Sequence, residues 1–225
     1  MKTGKIIKKI LKFIFLALLV LVLGLLTLRM CSSTVPASMK KLIWNDRLTA
    51  AYQSDPEGFS VEQQISRELV TADGSFFACN IIYIESAQQL QLTIRYTDYM
   101  MKELEAEIGA DTLKEEPFEF RLLAYVKEQD TDTGSTAVQN KKTETQEFTD
   151  YTYTTERKSM YNYRRLVYDD IDLELYDNII MQVYLNKVTP ETEPEPYKEL
   201  TVRRGTFTWK AYSYEADLPR ELREQ

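Results

Sequence analysis

The chain has no histidine in 225 residues. That absence excludes His-based general acid–base catalysis, the usual serine and cysteine triads, and the commonest zinc ligand. Cysteine is nearly absent too: Cys31 and Cys79 are too few for a disulfide framework. Cys79 lies in an apolar stretch and is expected to be a small buried strand residue. No Asn-x-Ser/Thr sequon occurs, so N-glycosylation is not expected. No internal repeat is visible. Acids are missing from the first 29 residues: all 35 lie beyond them, beside 22 of the 28 bases, a net of −13 there. So acidic a region repels nucleic acid and anionic lipid, and neither is expected as a partner.

What the first residues do contain is apolar. Five lysines (Lys2, Lys5, Lys8, Lys9, Lys12) precede or flank a run that is unbroken over 13–28. With Ile10 and Leu11, and with Lys12 snorkelling to the headgroups, the run covers residues 10–28. A helix of that length is about 28 Å long, close to a bilayer core. It exceeds the core of a secretory signal, and the nearest cleavage-like triplet, Val35-Pro36-Ala37, lies well past it. Leu28-Arg29-Met30-Cys31 resembles a bacterial lipobox only at its ends, because Arg29 and Met30 are not small. An uncleaved anchor through residues 10–28 is the expectation. The lysines put the N-terminus in the cytoplasm and residues 30–225 outside a bacterial cell membrane.

The remaining chain is long enough for one domain. Residues 1–29 are read as a lysine-rich tip and anchor, and 30–58 as a juxtamembrane helix and linker. Residues 59–217 are read as the extracytoplasmic β domain, and 218–225 as a polar tail. Met39, Leu42, Ile43 and Ala50 predict a helix over 38–53, stopped by Asp55-Pro56-Glu57-Gly58. Beyond it the apolar period becomes two. Leu90, Leu92, Ile94 and Tyr96 alternate with Gln91, Thr93, Arg95 and Thr97. Phe118, Phe120, Leu122 and Ala124 do the same, as do Ile179, Met181, Val183 and Leu185, and later Phe207, Trp209 and Ala211. Further strands are expected within 61–70, 75–84, 150–157, 161–168 and 198–202. One helix is expected over 98–108, with Asp98 as cap, Met101, Leu104 and Ile108 on one face, and Gly109 at its end. The fold class is mainly β: an antiparallel two-sheet sandwich, Ig-like or jelly-roll-like, with one short crossing helix, an N-terminal transmembrane helix and a juxtamembrane helix.

Candidate sites are few. Asp130-x-Asp132-x-Gly134 opens like a calcium loop, but Ser135 and Lys141 stand where glycine and glutamate are needed. A solvated loop over 129–146 is the plainer reading, and 189–196, rich in proline and glutamate, is another. Asp169, Asp170 and Asp172, with Glu174 and Asp177, are an oxygen-rich cluster that could hold calcium at one end of a sandwich. The plainer reading is a charged turn that ends strands. Tyr151 and Tyr153 would share one strand face and Tyr161 and Tyr163 another, where rings can stack on a sugar or a partner protein. Half-buried sheet tyrosines are the commoner outcome. With 35 acids, no motif selects a pair for glycoside cleavage.

Two resemblances bear on function. Ser38-Met39 resembles the nucleophile segment of type I signal peptidases, but Lys40 and Lys41 follow it and none of that family's other motifs is present. The segments 42–48 (LIWNDRL), 55–59 (DPEGF) and 90–96 (LQLTIRY) resemble those of uncharacterised single-anchor extracytoplasmic β-domain proteins of Gram-positive bacteria. That resemblance implies bacterial placement and one outer β domain, and assigns no activity. The expected function is a non-enzymatic interaction module that binds an unidentified envelope or secreted protein. A calcium- or cell-wall-glycan-binding module is the alternative, and an enzyme the third reading. No cofactor is expected, calcium excepted.

Overall fold

The computed structural model describes residues 11–24, 34–65, 69–127, 144–189, 194–204 and 207–223. Among them, eleven strands form two antiparallel sheets, and helices are few. The larger sheet runs in the order β11 (Trp209–Ala211), β1 (Glu62–Gln64), β3 (Phe77–Ile84), β4 (Gln89–Thr97), β8 (Tyr161–Tyr168) and β7 (Thr152–Lys158). The short β2 (Leu69–Val70) pairs with β3 along the edge that β1 also uses. The smaller sheet runs β10 (Lys198–Arg204), β9 (Tyr176–Lys187), β5 (Leu113–Val126) and β6 (Thr145–Phe148).

The period-two runs meet across one core. Leu90, Leu92, Ile94 and Tyr96 of β4 are buried with Phe118, Phe120, Leu122 and Ala124 of β5 and with Ile179, Met181 and Val183 of β9. Phe76 and Phe118 meet edge to face at 5.0 Å, and Tyr96 meets Phe118 at 5.2 Å. Each such side chain contributes about 1.5–3 kcal/mol through burial. Cys79 sits in β3 at a bulge between Ala78 and Asn80 and is half-buried, not fully buried as its apolar neighbours suggest. Cys31 lies outside the described residues.

The helix α2 (Asp98–Ile108) follows β4 as expected, but its cap is Thr97, whose Oγ1 accepts from the Met100 N–H at 3.1 Å. Asp98 is thereby released to accept from Arg157 and Asn162. Met100 and Leu104 are the buried residues, and Gly109 ends the helix at φ +89°, where any side chain is strained.

The segment over 38–53 is not one helix. The helix α1 is Asp46–Ser54, capped by Asn45, whose Oδ1 accepts from the Leu48 N–H at 2.9 Å. Before it, residues 34–45 form a strap across the outer face of the larger sheet. Side chains of that sheet take the strap's backbone groups and so compete with helical hydrogen bonds. Thr93 Oγ1 donates to the Met39 carbonyl at 2.6 Å, and Asn80 Nδ2 to the Lys40 carbonyl at 3.1 Å. Gln91 both donates to the Ile43 carbonyl (2.8 Å) and accepts from the Ile43 N–H (2.9 Å). Gln89, Gln91, Thr93 and Arg165, which alternation places toward water, are therefore fully buried.

Below the strap lies a second, smaller core of Leu42, Leu48, Phe59, Val61, Ile82, Ile84 and Ala87. Trp44, Tyr52 and Tyr214 ring Phe59 at 5.8, 5.3 and 5.0 Å. The described part of 30–58 is thus packed on the domain rather than linking to it. The expected polar tail docks as well: α3 (Arg220–Arg223) buries Leu222, and Arg223 donates to the carbonyls of Leu218 and Ala216.

The first helix is described over 11–24, with its apolar side chains exposed from Leu11 to Leu23. Among the described residues no helix is long and apolar enough to cross a membrane. The transmembrane helix expected over 10–28 is therefore not supported as a span, with Ile10 and residues 25–28 outside the described residues.

Candidate functional site

The four sequence-selected tyrosines do not form one surface. Register puts Tyr161 and Tyr163 on the outer face of the larger sheet, with Arg95, and Tyr151 and Tyr153 on the side of the main core. Tyr163 is buried, and Tyr161 is half-buried with the Arg95 guanidinium 4.8 Å over its ring. Tyr151 packs on Tyr168 at 5.3 Å, and its hydroxyl accepts from the Phe120 N–H. Burial raises the Tyr151 and Tyr163 phenols above their ordinary range, so both are neutral at pH 7. Only Tyr153 is an exposed ring, and Arg164 lies over it at 5.3 Å. Tyr151, Tyr161 and Tyr163 are thus wholly or partly packed into the domain.

The acidic cluster also separates. Asp169 turns inward and accepts from Gln89 Nε2 at 2.8 Å. Asp170, at φ +62°, reaches Arg47 at 2.7 Å. Asp172 Oδ1 caps its own turn by accepting from the Glu174 N–H at 2.9 Å. The three carboxylates point to three partners, and no group of three or more His, Cys, Asp or Glu side chains that could hold a metal occurs among the described residues. The Asp130 loop lies outside them.

What the fold does assemble is a polar groove of about 430 Å³ at the end of the sheets where β3 turns into β4. Gly58 and Ser60 come from the approach to β1; Tyr83 comes from the end of β3; Glu85, Ser86 and Gln88 come from the β3–β4 turn; Asp172 and Glu174 come from the β8–β9 connection. Gly58 fits because its N–H bonds Asp55 Oδ1 at 2.9 Å, and a Cβ there would collide with that carboxylate. Gln88 adopts φ +48°, and its carbonyl accepts from the Ile171 N–H at 2.8 Å, which ties the two connections together. Tyr83 is buried at the wall, its hydroxyl accepting from the Leu173 N–H at 3.3 Å. Burial raises its phenol; the Leu173 bond opposes this, and the charges of Asp172 and Glu85 add to it.

No match is found among protein-family models, curated proteins or solved structures.

The groove's chemistry is therefore read from its own residues. Glu85, Asp172 and Glu174 give it negative charge, and two serines, one glutamine and a neutral tyrosine give it hydrogen-bonding capacity. It suits a positively charged group held by charge and hydrogen bonds. It offers no histidine, and neither of its serines has a hydrogen bond to a base among the described contacts. Sequence reasoning found Asp172 and Glu174 but missed Glu85, Ser86 and Gln88. The visible signal was Glu85-Ser86-Ala87-Gln88 between two strand runs, a polar turn that only the fold places beside the second loop.

Proposed function

We propose that the protein is a non-enzymatic interaction module tethered at a bacterial membrane, its outer domain binding an unidentified envelope or secreted protein. The observation that carries this reading is the groove of Glu85, Asp172 and Glu174, open at the loop end of the sheets. Loops on a rigid scaffold are where binding residues concentrate. The two packed sheets are read as a sandwich of Ig-like or jelly-roll-like kind. The domain's net charge of −13 favours a partner that offers lysine or arginine to the groove.

The tether rests on the lysine-flanked apolar run and on the exposure of its side chains from Leu11 to Leu23. A continuous apolar surface of this kind is rare on a protein facing water on all sides, and a bilayer would cover it. Gram-positive placement rests on the resemblance of 42–48, 55–59 and 90–96.

The test is site-specific photocross-linking in native membranes. A photoreactive residue at Ser86 in the groove is compared with one at Glu105, exposed on α2. A discrete adduct from Ser86 alone supports the reading. Identical adducts from both positions, or none from Ser86, overturn it.

A further inference from the structure

We propose that the tip of the β7–β8 hairpin, with Met160 at its turn and Tyr99 beside it, is the surface on which the domain rests against lipid headgroups next to its own anchor. This inference rests on the membrane-tether reading and adds which end of the domain faces the bilayer.

The argument starts from where the strap lands. Lys158, the last residue of β7, donates from Nζ to the Thr34 carbonyl at 3.0 Å and to Thr34 Oγ1 at 3.1 Å. Ser38 Oγ donates to Glu156 two residues back along the same strand. The described strap is therefore pinned to the hairpin end of β7 from its first residue. Five residues, 29–33, separate Thr34 from the end of the apolar run at Leu28. At about 3.6 Å per residue at most, the six steps from Leu28 to Thr34 reach no more than about 22 Å. The headgroup zone alone takes roughly 5–8 Å of that reach. The hairpin end is thereby kept near the surface. The groove lies at the opposite end of β8, about 25 Å farther along at 3.3 Å per residue.

The chemistry of the hairpin end fits an interface. Met160 is 55% exposed and Tyr99 is 68% exposed, an apolar and an aromatic side chain largely open to the surroundings. They are neighbours because the Asp98 N–H donates to the Met160 carbonyl at 2.9 Å. Tyrosine suits the headgroup level, with its ring toward the chains and its hydroxyl in water. Arg157, Lys158 and, one turn along α2, Lys102 add positive charge. Acids are present at this end too: Asp98 is held by Arg157 and Asn162, Glu156 by Ser38, and Glu103 is bonded to the Tyr99 hydroxyl, while Glu105 and Glu107 lie further along α2.

The experiment uses the full chain in vesicles of phosphatidylcholine containing about one-fifth phosphatidylglycerol. In a Cys31→Ser/Cys79→Ser background, an environment-sensitive fluorophore is attached at Met160→Cys or at Leu175→Cys, an exposed position at the groove end. Headgroup-level nitroxide lipid should quench the probe at 160 several-fold more than the probe at 175. Equal quenching in chains that float with the vesicles overturns the inference while leaving the tether intact. A chain that does not float with the vesicles overturns both. Photoactivatable lipid supplied to the unsubstituted chain gives a second readout independent of the cysteine background. Adducts on 157–161 and Tyr99 support the inference, and adducts confined elsewhere on the domain overturn it.

Discussion

Arg165 Nη1 lies 2.8 Å from Thr93 Oγ1, and both side chains donate to one carbonyl oxygen, that of Met39 in the strap. Arg165 also donates to Gln91 Oε1 at 3.1 Å and is fully buried. Burial lowers its guanidinium to about 10, with Tyr212 and Asp217 pulling the other way, so it stays charged at pH 7. The strap is held by this polar layer as much as by Met39 and Leu42. Thr93→Val keeps the shape but removes the hydroxyl, which should cost about 1–3 kcal/mol. Arg165→Ala leaves a cavity and orphaned acceptors and should cost about 2–5 kcal/mol. Urea unfolding gives the loss. Hydrogen exchange locates it: in Thr93→Val, amides of 39–43 should speed up while Leu104 in α2 holds. Uniform acceleration would show that the layer does not hold the strap locally.

Asp73 joins the two sheets through Lys198 of β10, at 2.6 Å, and also accepts from Thr71 and Ser75. Burial raises its carboxyl, but the bonds from Lys198, Ser75 and Thr71 outweigh that and hold it well below the usual range. A carboxyl so lowered stays ionised in the folded chain at pH values where the unfolded chain binds a proton. Its stabilisation is therefore present above about pH 4 and is lost as pH falls through the folded value. The side chain is partly exposed, and screening limits the effect to about 1 kcal/mol or less. Asp73→Asn should melt below wild type from pH 7 to 5, and the gap should close on further acidification. A gap that does not shrink between pH 5 and pH 2 would rule out the carboxylate as its source.

The strands and α2 were legible because their burial follows their own periodicity: Leu90, Leu92, Ile94 and Tyr96 face the core as alternation dictates. The opposite face was not legible. Gln91 and Thr93 read as solvent-facing, and the strap, packed from about 50 residues away in sequence, takes their side chains as partners and buries them. Residues 38–45 carry helical spacing, yet their carbonyls are taken by the sheet, a tertiary competition that no local window contains. The acidic cluster was legible as composition, but the direction of each carboxylate was not. The Gln89, Arg47 and Glu174 partners that separate Asp169, Asp170 and Asp172 come from three places in the chain.

That separation predicts the response to calcium. The ion needs several oxygens converging at 2.3–2.6 Å. Asp169 and Asp170 are each engaged by another side chain and Asp172 by a backbone N–H, so binding would first have to break those contacts. Millimolar calcium should leave the melting temperature unchanged, because a ligand stabilises only through binding the folded state. A reproducible rise, abolished by Asp172→Asn, would show that the β8–β9 loop rearranges into a site.

Glu215 offers a test of topology. It sits in a three-residue turn, Glu215–Asp217, beside the strap, and its exposed side chain accepts from Ser213 Oγ at 2.6 Å. Glu215→Cys in the Cys31→Ser/Cys79→Ser background should therefore be reachable without disturbing the fold. In the proposed orientation, taken from the lysine-rich flank, residue 215 lies outside and Lys5 inside. On intact cells a membrane-impermeant maleimide should label Glu215→Cys, whereas Lys5→Cys should react only after lysis. The reverse pattern would invert the orientation. Labelling of both positions on intact cells would remove the membrane from between them, and with it the anchor.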